Sequence, residues 1–194
     1  MRVDLSNKGL TTSKLQTELQ RLDLAKVTVL NLSHNWLTSI PSEVGQMTSL
    51  WKLDLWKNNL NTLPPEIGQL KSLQELYLWE NQLSTLPPEI GQLKSLRKLN
   101  LWENQLSTLP AQVGELASLQ DLYLNNNQLS TLPAEIGQLK SLQGLHLRNN
   151  KLNAFPVEIG QMTNLRFLDL GNNRLTSHSL GMSELEKAKL MVIL

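Results

Sequence analysis

Leucine recurs along most of the chain at intervals that combine two periods. In the segment LYLWENQLSTLPPEIGQLKSL, residues 76–96, Leu76 and Leu78 are separated by one polar or aromatic residue. This alternation is typical of a strand with one buried face. The apolar positions that follow are more widely spaced and are interrupted by proline and glycine, which disfavour a regular helix. The pattern therefore predicts a short strand and a return segment of 3₁₀ or irregular turns.

The same pattern returns every 23 residues without a slip, as L-x-x-L-x-L-x-x-N-x-L-x-x-L-P-x-E-I-G-x-L-x-x. Three residue types that keep one period indicate stacked repeats around a shared core. Its asparagines are Asn35, Asn58, Asn81, Asn104, Asn127, Asn150 and Asn173, its prolines are Pro41, Pro64, Pro87, Pro110, Pro133 and Pro156, and its glycines are Gly45, Gly68, Gly91, Gly114, Gly137 and Gly160.

Each of these three residue types has a physical reason to be where it is. The asparagine follows the strand, and its amide can satisfy backbone groups of adjacent turns, which explains a repeated buried polar side chain. Proline has no N–H to donate and therefore ends strand pairing. Glycine permits either a positive φ or a close backbone approach on the return path.

These residues resemble the leucine-rich-repeat family, in the 23-residue form found in pathogenic spirochaetes of the Leptospira type. The resemblance covers residues 27–175 in full. It implies an α/β solenoid: a leucine-rich-repeat arc with a parallel sheet on its concave face and 3₁₀ or irregular turns on its convex face. It also implies a protein-binding role, commonly toward a host protein where the bacterial members are exported.

We expect a single domain in which residues 1–26 are a degenerate N-terminal cap, residues 27–175 are the repeats and residues 176–194 are a C-terminal cap. Ser13 and Gln16 have the spacing of a capping box, which predicts a helix with Leu15, Leu19 and Leu22 on one face. A second box at Ser183 and Glu186 predicts a closing helix over the last repeat. The apolar tail at 191–194 is expected to be buried or to be an association surface.

The positions that the leucine spacing leaves outside carry the aromatic residues. With each unit numbered from its first apolar residue, at 27, 50, 73 and so on, the third, fifth and seventh positions point outward, and all five tryptophans lie at positions outside the core. Trp56, Trp79 and Trp102 occupy the seventh position of three consecutive units. Because parallel strands lie about 4.8 Å apart, we expect these side chains to form a continuous stripe.

We interpret the stripe as the centre of a binding surface. Three such rings offer roughly 450–750 Å² before their mutual contact is subtracted, which is about the scale of one side of a standard interface. The surrounding residues predicted to contribute to this surface are Trp36, Tyr77, Glu80, Glu103, Tyr123, His146 and Arg148.

Other interpretations of this surface stay open at the level of sequence. The rings could stack on one another and stiffen the sheet without binding, or they could stack on sugar rings and bind a glycan. Concave faces or the apolar tail could also form a homo-oligomer, and the chain could be the recognition part of a longer effector. Lys52, Glu75, Lys98 and Asp121 alternate in sign at the third position, which favours structural pairing across the ladder.

Composition and motifs exclude several classes of function. A net charge of +1 disfavours nucleic-acid binding. The chain has no cysteine and no apolar run long enough to span a membrane. We identify no nucleophile–base–acid set, so we expect neither an enzyme nor a cofactor or metal. The first residues lack the apolar stretch of a signal peptide, so we expect either a cytoplasmic protein or one whose signal was removed; the resemblance implies secretion or a cell-surface location.

Overall fold

The computed structural model describes residues 1–175 and 191–193. Within them, the strands form one parallel sheet in which neighbours in space are neighbours in the chain. Such an order is expected of repeats that each contact only the next. The strands are β1 (Arg2–Asp4), β2 (Val29–Asn31), β3 (Lys52–Asp54), β4 (Glu75–Tyr77), β5 (Lys98–Asn100), β6 (Asp121–Tyr123), β7 (Gly144–His146), β8 (Phe167–Asp169) and β9 (Met191–Ile193).

The register of the sheet keeps equivalent residues of successive units side by side. Leu53 of β3 is the Cα partner of Leu76 in β4, which is one repeat away. The middle residue of each strand from β2 to β8 is a leucine with no exposed surface, and the residues on either side face outward. A single hydrophobic core therefore runs through all the units, and every concave position forms a column across the sheet.

The return segments are 3₁₀ helices, as the interrupted apolar pattern predicts. One short segment lies at the end of the N-terminal cap, at Leu24–Lys26, and six five-residue segments follow the strands β2 to β7. Each of the six begins after the repeated proline, whose φ near −65° suits the extended residue before the turn. The six segments are Ser42–Gln46, Pro65–Gln69, Pro88–Gln92, Ala111–Glu115, Ala134–Gln138 and Val157–Gln161.

The repeated glycines serve close approach and not a positive φ. A Cβ added to Gly114 would clash with the backbone oxygen of Glu135 in the next turn, and one added to Gly68 would lie 2.7 Å from that of Glu89. Among the glycines of the described residues, only Gly9 has a positive φ. Of the two explanations offered by the sequence, the structure therefore selects contact between adjacent convex turns.

The repeated asparagines form the expected ladder of buried hydrogen bonds. Asn104 donates from Nδ2 to the carbonyl of Leu101 in its own unit and to that of Leu78 in the preceding unit, at 3.1 and 3.0 Å. Its Oδ1 accepts from the N–H of Leu83 at 3.0 Å. Because the same three contacts recur from Asn58 to Asn173, the predicted role of this residue is confirmed.

The N-terminal cap contains the helix α1 (Thr12–Leu19) with Leu15 and Leu19 buried. The predicted capping box is wrong, because the helix begins two residues earlier than a cap at Ser13 requires, and Thr11 precedes it without a side-chain capping bond. The Gln16 amide instead donates to Glu43 on the first repeat at 2.7 Å. This bond and the burial of both leucines attach the cap to the solenoid.

At the other end, the expected capping box at Ser183 and Glu186 lies outside the described residues. The tail does not continue a helix, because Met191–Ile193 pairs in parallel with Phe167–Asp169 as the strand β9. Met191 and Ile193 are 64% and 39% exposed, so these two side chains of the tail are not buried in the core. In the part of the chain that the structure describes, no helix has the length and apolar character needed to cross a bilayer.

Candidate functional site

The three tryptophans of the seventh position form a stack on the concave face. The ring centroids of Trp56 and Trp79 are 4.1 Å apart with planes 6° from parallel, and those of Trp79 and Trp102 are 5.4 Å apart at 21°. His34 closes one end of the stack. Its ring centroid is 3.9 Å from that of Trp56, and the two ring planes are nearly perpendicular, at 78°. The sequence predicted the stripe, but not its closure by a histidine.

Stacking determines which part of each indole faces solvent. Both faces of Trp79 are covered by rings, and each face of Trp56 meets a ring as well. All three tryptophans are half-buried, so the accessible area is smaller than the sum of three free rings. Their Nε1–H groups form no hydrogen bond with the described residues and are not among the buried polar atoms that lack a partner. The stack therefore presents ring edges and N–H donors to solvent.

The fifth-position residue, two places before the tryptophan, can accept a hydrogen bond from the backbone N–H of that tryptophan. At the fifth position, the Asp54 carboxylate accepts from the N–H of Trp56 at 3.2 Å, and the side-chain Oδ1 of Asn100 accepts from the N–H of Trp102 at 3.0 Å. Such local bonds fix the chain where it leaves a strand. Burial raises the pKa of Asp54 above its ordinary value, and the hydrogen bond from the N–H of Trp56 only partly opposes this effect.

The eighth position turns the chain in a left-handed conformation. These residues have φ between 52° and 57°, and they are Asn7, His34, Lys57, Glu80, Glu103, Asn126, Asn149 and Asn172. A left-handed residue other than glycine carries steric strain unless, like asparagine, its side chain tolerates it. Glu80 and Glu103, which the sequence analysis placed at the rim of the binding surface, therefore also have a structural role in the turn. Glu80 is half-buried and Glu103 is exposed.

A second aromatic column lies beside the first, nearer the start of the strands. Tyr123 stacks on His146 at 4.3 Å between centroids, and His146 contacts Phe167 at 4.8 Å. Burial lowers the pKa of His146, against the opposing effect of Asp121 and Asp169. The structure therefore brings Tyr123 and His146 together, as neighbours on the predicted surface, but separately from the tryptophan stack.

Tyr77 belongs to a charged cluster at the third and fifth positions. Lys52 pairs with Glu75 at 3.0 Å and lies 4.8 Å from the Tyr77 ring centroid. The Tyr77 hydroxyl donates to Glu75 at 3.1 Å, and burial together with that carboxylate raises the pKa of Tyr77 to about 12. Lys98 makes no salt bridge with the described residues and instead lies over the rings of Tyr77 and Tyr123. The predicted pairing of third-position charges is thus confirmed for one pair, Lys52 with Glu75.

Trp36 and Arg148 lie apart from the tryptophan stack. Trp36 is 67% exposed and contacts no aromatic ring of the described residues; it is in the turn that follows β2. Arg148 is also exposed, and its guanidinium covers Gly171, where an added Cβ would come within 3.1 Å of Nη1. These two predicted site residues therefore mark opposite ends of the concave surface and not its aromatic centre.

Sequence reasoning missed His34 and Phe167 as ring partners. Both occupy outward positions of the repeat, so the 23-residue period predicts that they are on the surface. Their ring partners lie in different columns, however, and an interpretation of each column by itself does not predict contacts between columns. Within the described residues, no three or more His, Asp or Glu side chains are grouped so as to hold a metal ion.

Comparison with known families gives a consistent assignment. A model described as leucine-rich repeat region matches residues 76–169 and 112–193. A second, described as Leucine Rich Repeat, matches residues 26–47 and 49–70. These matches together span well over half of the chain. A search of curated proteins found no match.

Solved structures with the same fold come from bacteria and plants. A Leptospira interrogans LRR protein is 38% identical with a TM-score of 0.88, over 98% of this chain and 53% of its own. The LRR ectodomain of the plant membrane receptor kinase GASSHO1/SCHENGEN3 from Arabidopsis thaliana, in complex with Casparian strip integrity factor 2, is 38% identical with a TM-score of 0.68, over 77% of this chain and 19% of its own.

A Listeria monocytogenes internalin is 26% identical with a TM-score of 0.75, over 88% of this chain and 48% of its own. The chain thus spans about half the length, or less, of these three solved relatives.

Proposed function

Because the chain belongs to the leucine-rich repeat family, whose members are generally non-enzymatic binding modules, we propose that it binds a protein partner through the tryptophan stack of its concave face. The observation that carries this proposal is the continuous, half-exposed stack of Trp56, Trp79 and Trp102. Tryptophan is enriched among residues that dominate interface energies. We further propose that this chain is an exported bacterial protein and that its partner is a host protein.

The exposed edges of the stack favour a protein over a glycan at this place. Sugar rings bind aromatic residues face to face, and the faces of Trp56 and Trp79 are occupied by neighbouring rings. The edge of an aromatic ring carries partial positive charge, and each indole also has an N–H donor. Carbonyl and carboxylate oxygens of a polypeptide segment are therefore the groups that fit this stripe.

The sheet also limits the entropy lost on binding. Its hydrogen-bonded strands and the asparagine ladder hold the three tryptophans in place before any partner arrives, and each ring restricts the rotamers of the next. A preorganised surface loses less conformational freedom on docking than a flexible one. Tyr77, Tyr123 and His146 extend this surface, while Glu80, Glu103 and Arg148 supply polar contacts around it.

The proposal is tested by affinity capture from solubilised host-cell surface proteins with three forms of the chain. The first is unmodified, the second carries Trp56→Ala, Trp79→Ala and Trp102→Ala, and the third carries Asn61→Ala, Ser84→Ala and Ser107→Ala. The third set changes exposed residues in the same three units but away from the sheet. We expect a partner to be retained by the first and third forms and lost by the second, with circular dichroism showing that all three are folded. Equal retention by all three forms would overturn the concave-face assignment.

A further inference from the structure

A groove at the N-terminal end of the solenoid adjoins the tryptophan stack at His34 but contains none of its three tryptophans. It lies beyond the ends of β1, β2 and β3, where three successive turns leave the sheet. Its lining residues are Asn7, His34, Asn35, Trp36, Lys57, Asn58 and Asn59. Trp36 is the most exposed of the large apolar side chains described in the structure, at 67%. A tryptophan so exposed in a polar groove has a ring surface available to a ligand, in contrast to Trp56 and Trp79, which have neighbouring rings on both sides.

The groove supplies both free and occupied amides. Asn35 and Asn58 are buried in the asparagine ladder, and their amide groups bond to the backbone. Asn7 and Asn59 are exposed, and their side chains form no hydrogen bond with the residues the structure describes. Each of these two offers one acceptor and two donors. An aromatic face bordered by such planar amides can accommodate a ring that is apolar on its face and hydroxylated at its edge.

The positive charge of Lys57 favours a ligand that carries an anionic group. Lys57 is exposed and forms no salt bridge within the described residues, and no carboxylate is among the lining residues. A ligand with an anionic group would therefore gain an ion pair there. The remaining lining is polar, so it lacks the apolar surround that excludes water from a protein hot spot.

We propose that this groove is a binding site for an acidic sugar, with a pyranose ring on the face of Trp36 and its carboxylate at Lys57. The C–H groups on one face of a pyranose meet the electron-rich face of the indole, and its hydroxyls reach the amides of Asn7 and Asn59. This proposal does not depend on the protein-binding role proposed for the stack. It gives the exposed Trp36 a sugar ligand and the stacked tryptophans a protein ligand.

The experiment is a titration of the whole chain with a glucuronic acid hexamer and with the glucose hexamer of the same linkage, which differ only at the carboxylate. Nitrogen-15 NMR resolves the indole N–H of each tryptophan, and a Trp36→Phe variant assigns that of Trp36. We expect the glucuronic acid hexamer to shift the Trp36 resonance most and to leave those of Trp79 and Trp102, whose rings stack on no ring of a lining residue, unchanged. We expect Trp36→Ala to lower its affinity about tenfold or more, as loss of a dominant aromatic contact does.

Matched variants separate the contributions to binding. Lys57→Gln is expected to remove the preference for the glucuronic acid hexamer over the glucose hexamer while binding to Trp36 persists, and added salt is expected to weaken the same preference. The proposal would be overturned if the Trp36→Ala variant bound with the same affinity, or if the resonances of the stack shifted instead of that of Trp36. Tighter binding of adenosine monophosphate than of either sugar, or no shift at millimolar sugar, would also overturn it.

Discussion

The asparagine of each unit has the same structural role along the array. Asn104 has an exposed fraction of 8% and serves three backbone groups of two units. Leaving buried backbone groups without partners costs more than a hydrogen bond normally contributes. The ladder therefore sets the geometry of the strand exit, where the seventh-position tryptophans begin.

We expect Asn104→Ala to reduce the free energy of unfolding by about 1–3 kcal/mol, because the buried N–H of Leu83 loses its partner. The carbonyls of Leu78 and Leu101 each lose one of two amide donors, since Asn81 and Asn127 still donate to them. Urea denaturation followed by circular dichroism measures this change. The matched control is Gln105→Ala, an exposed neighbour, which is expected to change stability by about 0.5 kcal/mol or less. Similar effects of the two substitutions would contradict the structural role of the ladder.

His146 makes the stability of the chain sensitive to pH. Because burial lowers its pKa in the folded state, the unfolded chain binds more protons than the folded chain as pH falls through the unfolded value of about 6.5. Stability is therefore highest above that value and is lost as pH decreases toward the folded pKa. We expect His146→Phe, which keeps a ring between Tyr123 and Phe167, to lose less stability than the unmodified chain between about pH 7.5 and 5.5. Urea unfolding at both pH values decides this; an equal loss in both chains would exclude His146 as the cause.

At the scale of the element, the strand and the turn after it differ in how clearly sequence specifies them. The strand has the same leucines in every unit, whereas the left-handed eighth position holds histidine, lysine, glutamate or asparagine. In the last units asparagine side chains also bond to each other there, with Asn149 donating to Asn126 at 2.6 Å and Asn172 to Asn149 at 2.7 Å. The earlier units lack this second ladder and contain less suitable residues.

We expect Glu103→Asn to stabilise the chain by about 0.5–1 kcal/mol, because asparagine tolerates the left-handed conformation better than glutamate. The new amide would also be one unit away from Asn126 and could extend the exposed ladder. Thermal unfolding measures the gain. Glu103→Ala is the control, since alanine supplies neither advantage; equal stability of the two variants would mean that backbone conformation does not limit this turn.

The sequence predicted those elements in which one residue type has one physical role. The buried asparagines, the 3₁₀ turns after proline and the tryptophan stripe all follow from the period, and the structure contains them. The left-handed turns were missed because Lys57, Glu80 and Glu103 do not favour that conformation. The contact of His146 with Phe167 was missed because it runs diagonally between columns, from the fifth position to the third. The capping box failed because Gln16 bonds to Glu43, a tertiary partner.

At the scale of the whole molecule, the chain is a linear array in which each unit contacts its neighbours. The sheet order follows the chain, and adjacent return segments contact each other in the same order. Stability in such arrays is close to a sum of units and their interfaces. A whole unit is therefore a removable element, provided that the phase of the leucines and asparagines is kept.

We expect deletion of residues 79–101, which is one period of 23 residues, to give a shorter folded solenoid in which Trp56 stacks on Trp102. Deletion of residues 79–100 leaves one extra residue between the strand and the asparagine. It is expected to unfold or to lose cooperativity, because a one-residue slip in a strand moves side chains to the opposite face. Small-angle scattering and thermal unfolding compare the two, and equal folding of both would show that phase is not required at this junction.

The contact between convex turns at the repeated glycines also has a geometric consequence for the opposite side. The arc of a solenoid depends on the difference in spacing between its two faces, because each unit rotates slightly against the last. With no side chain at Gly114, the outer turns approach until its α-carbon lies close to the Glu135 carbonyl, so the outer spacing stays small. A small outer spacing reduces the difference between the two faces and so favours a flatter arc than a side chain at this position would allow. Glycine on the back of the protein thus determines how flat a partner must be to touch all three tryptophans on the front.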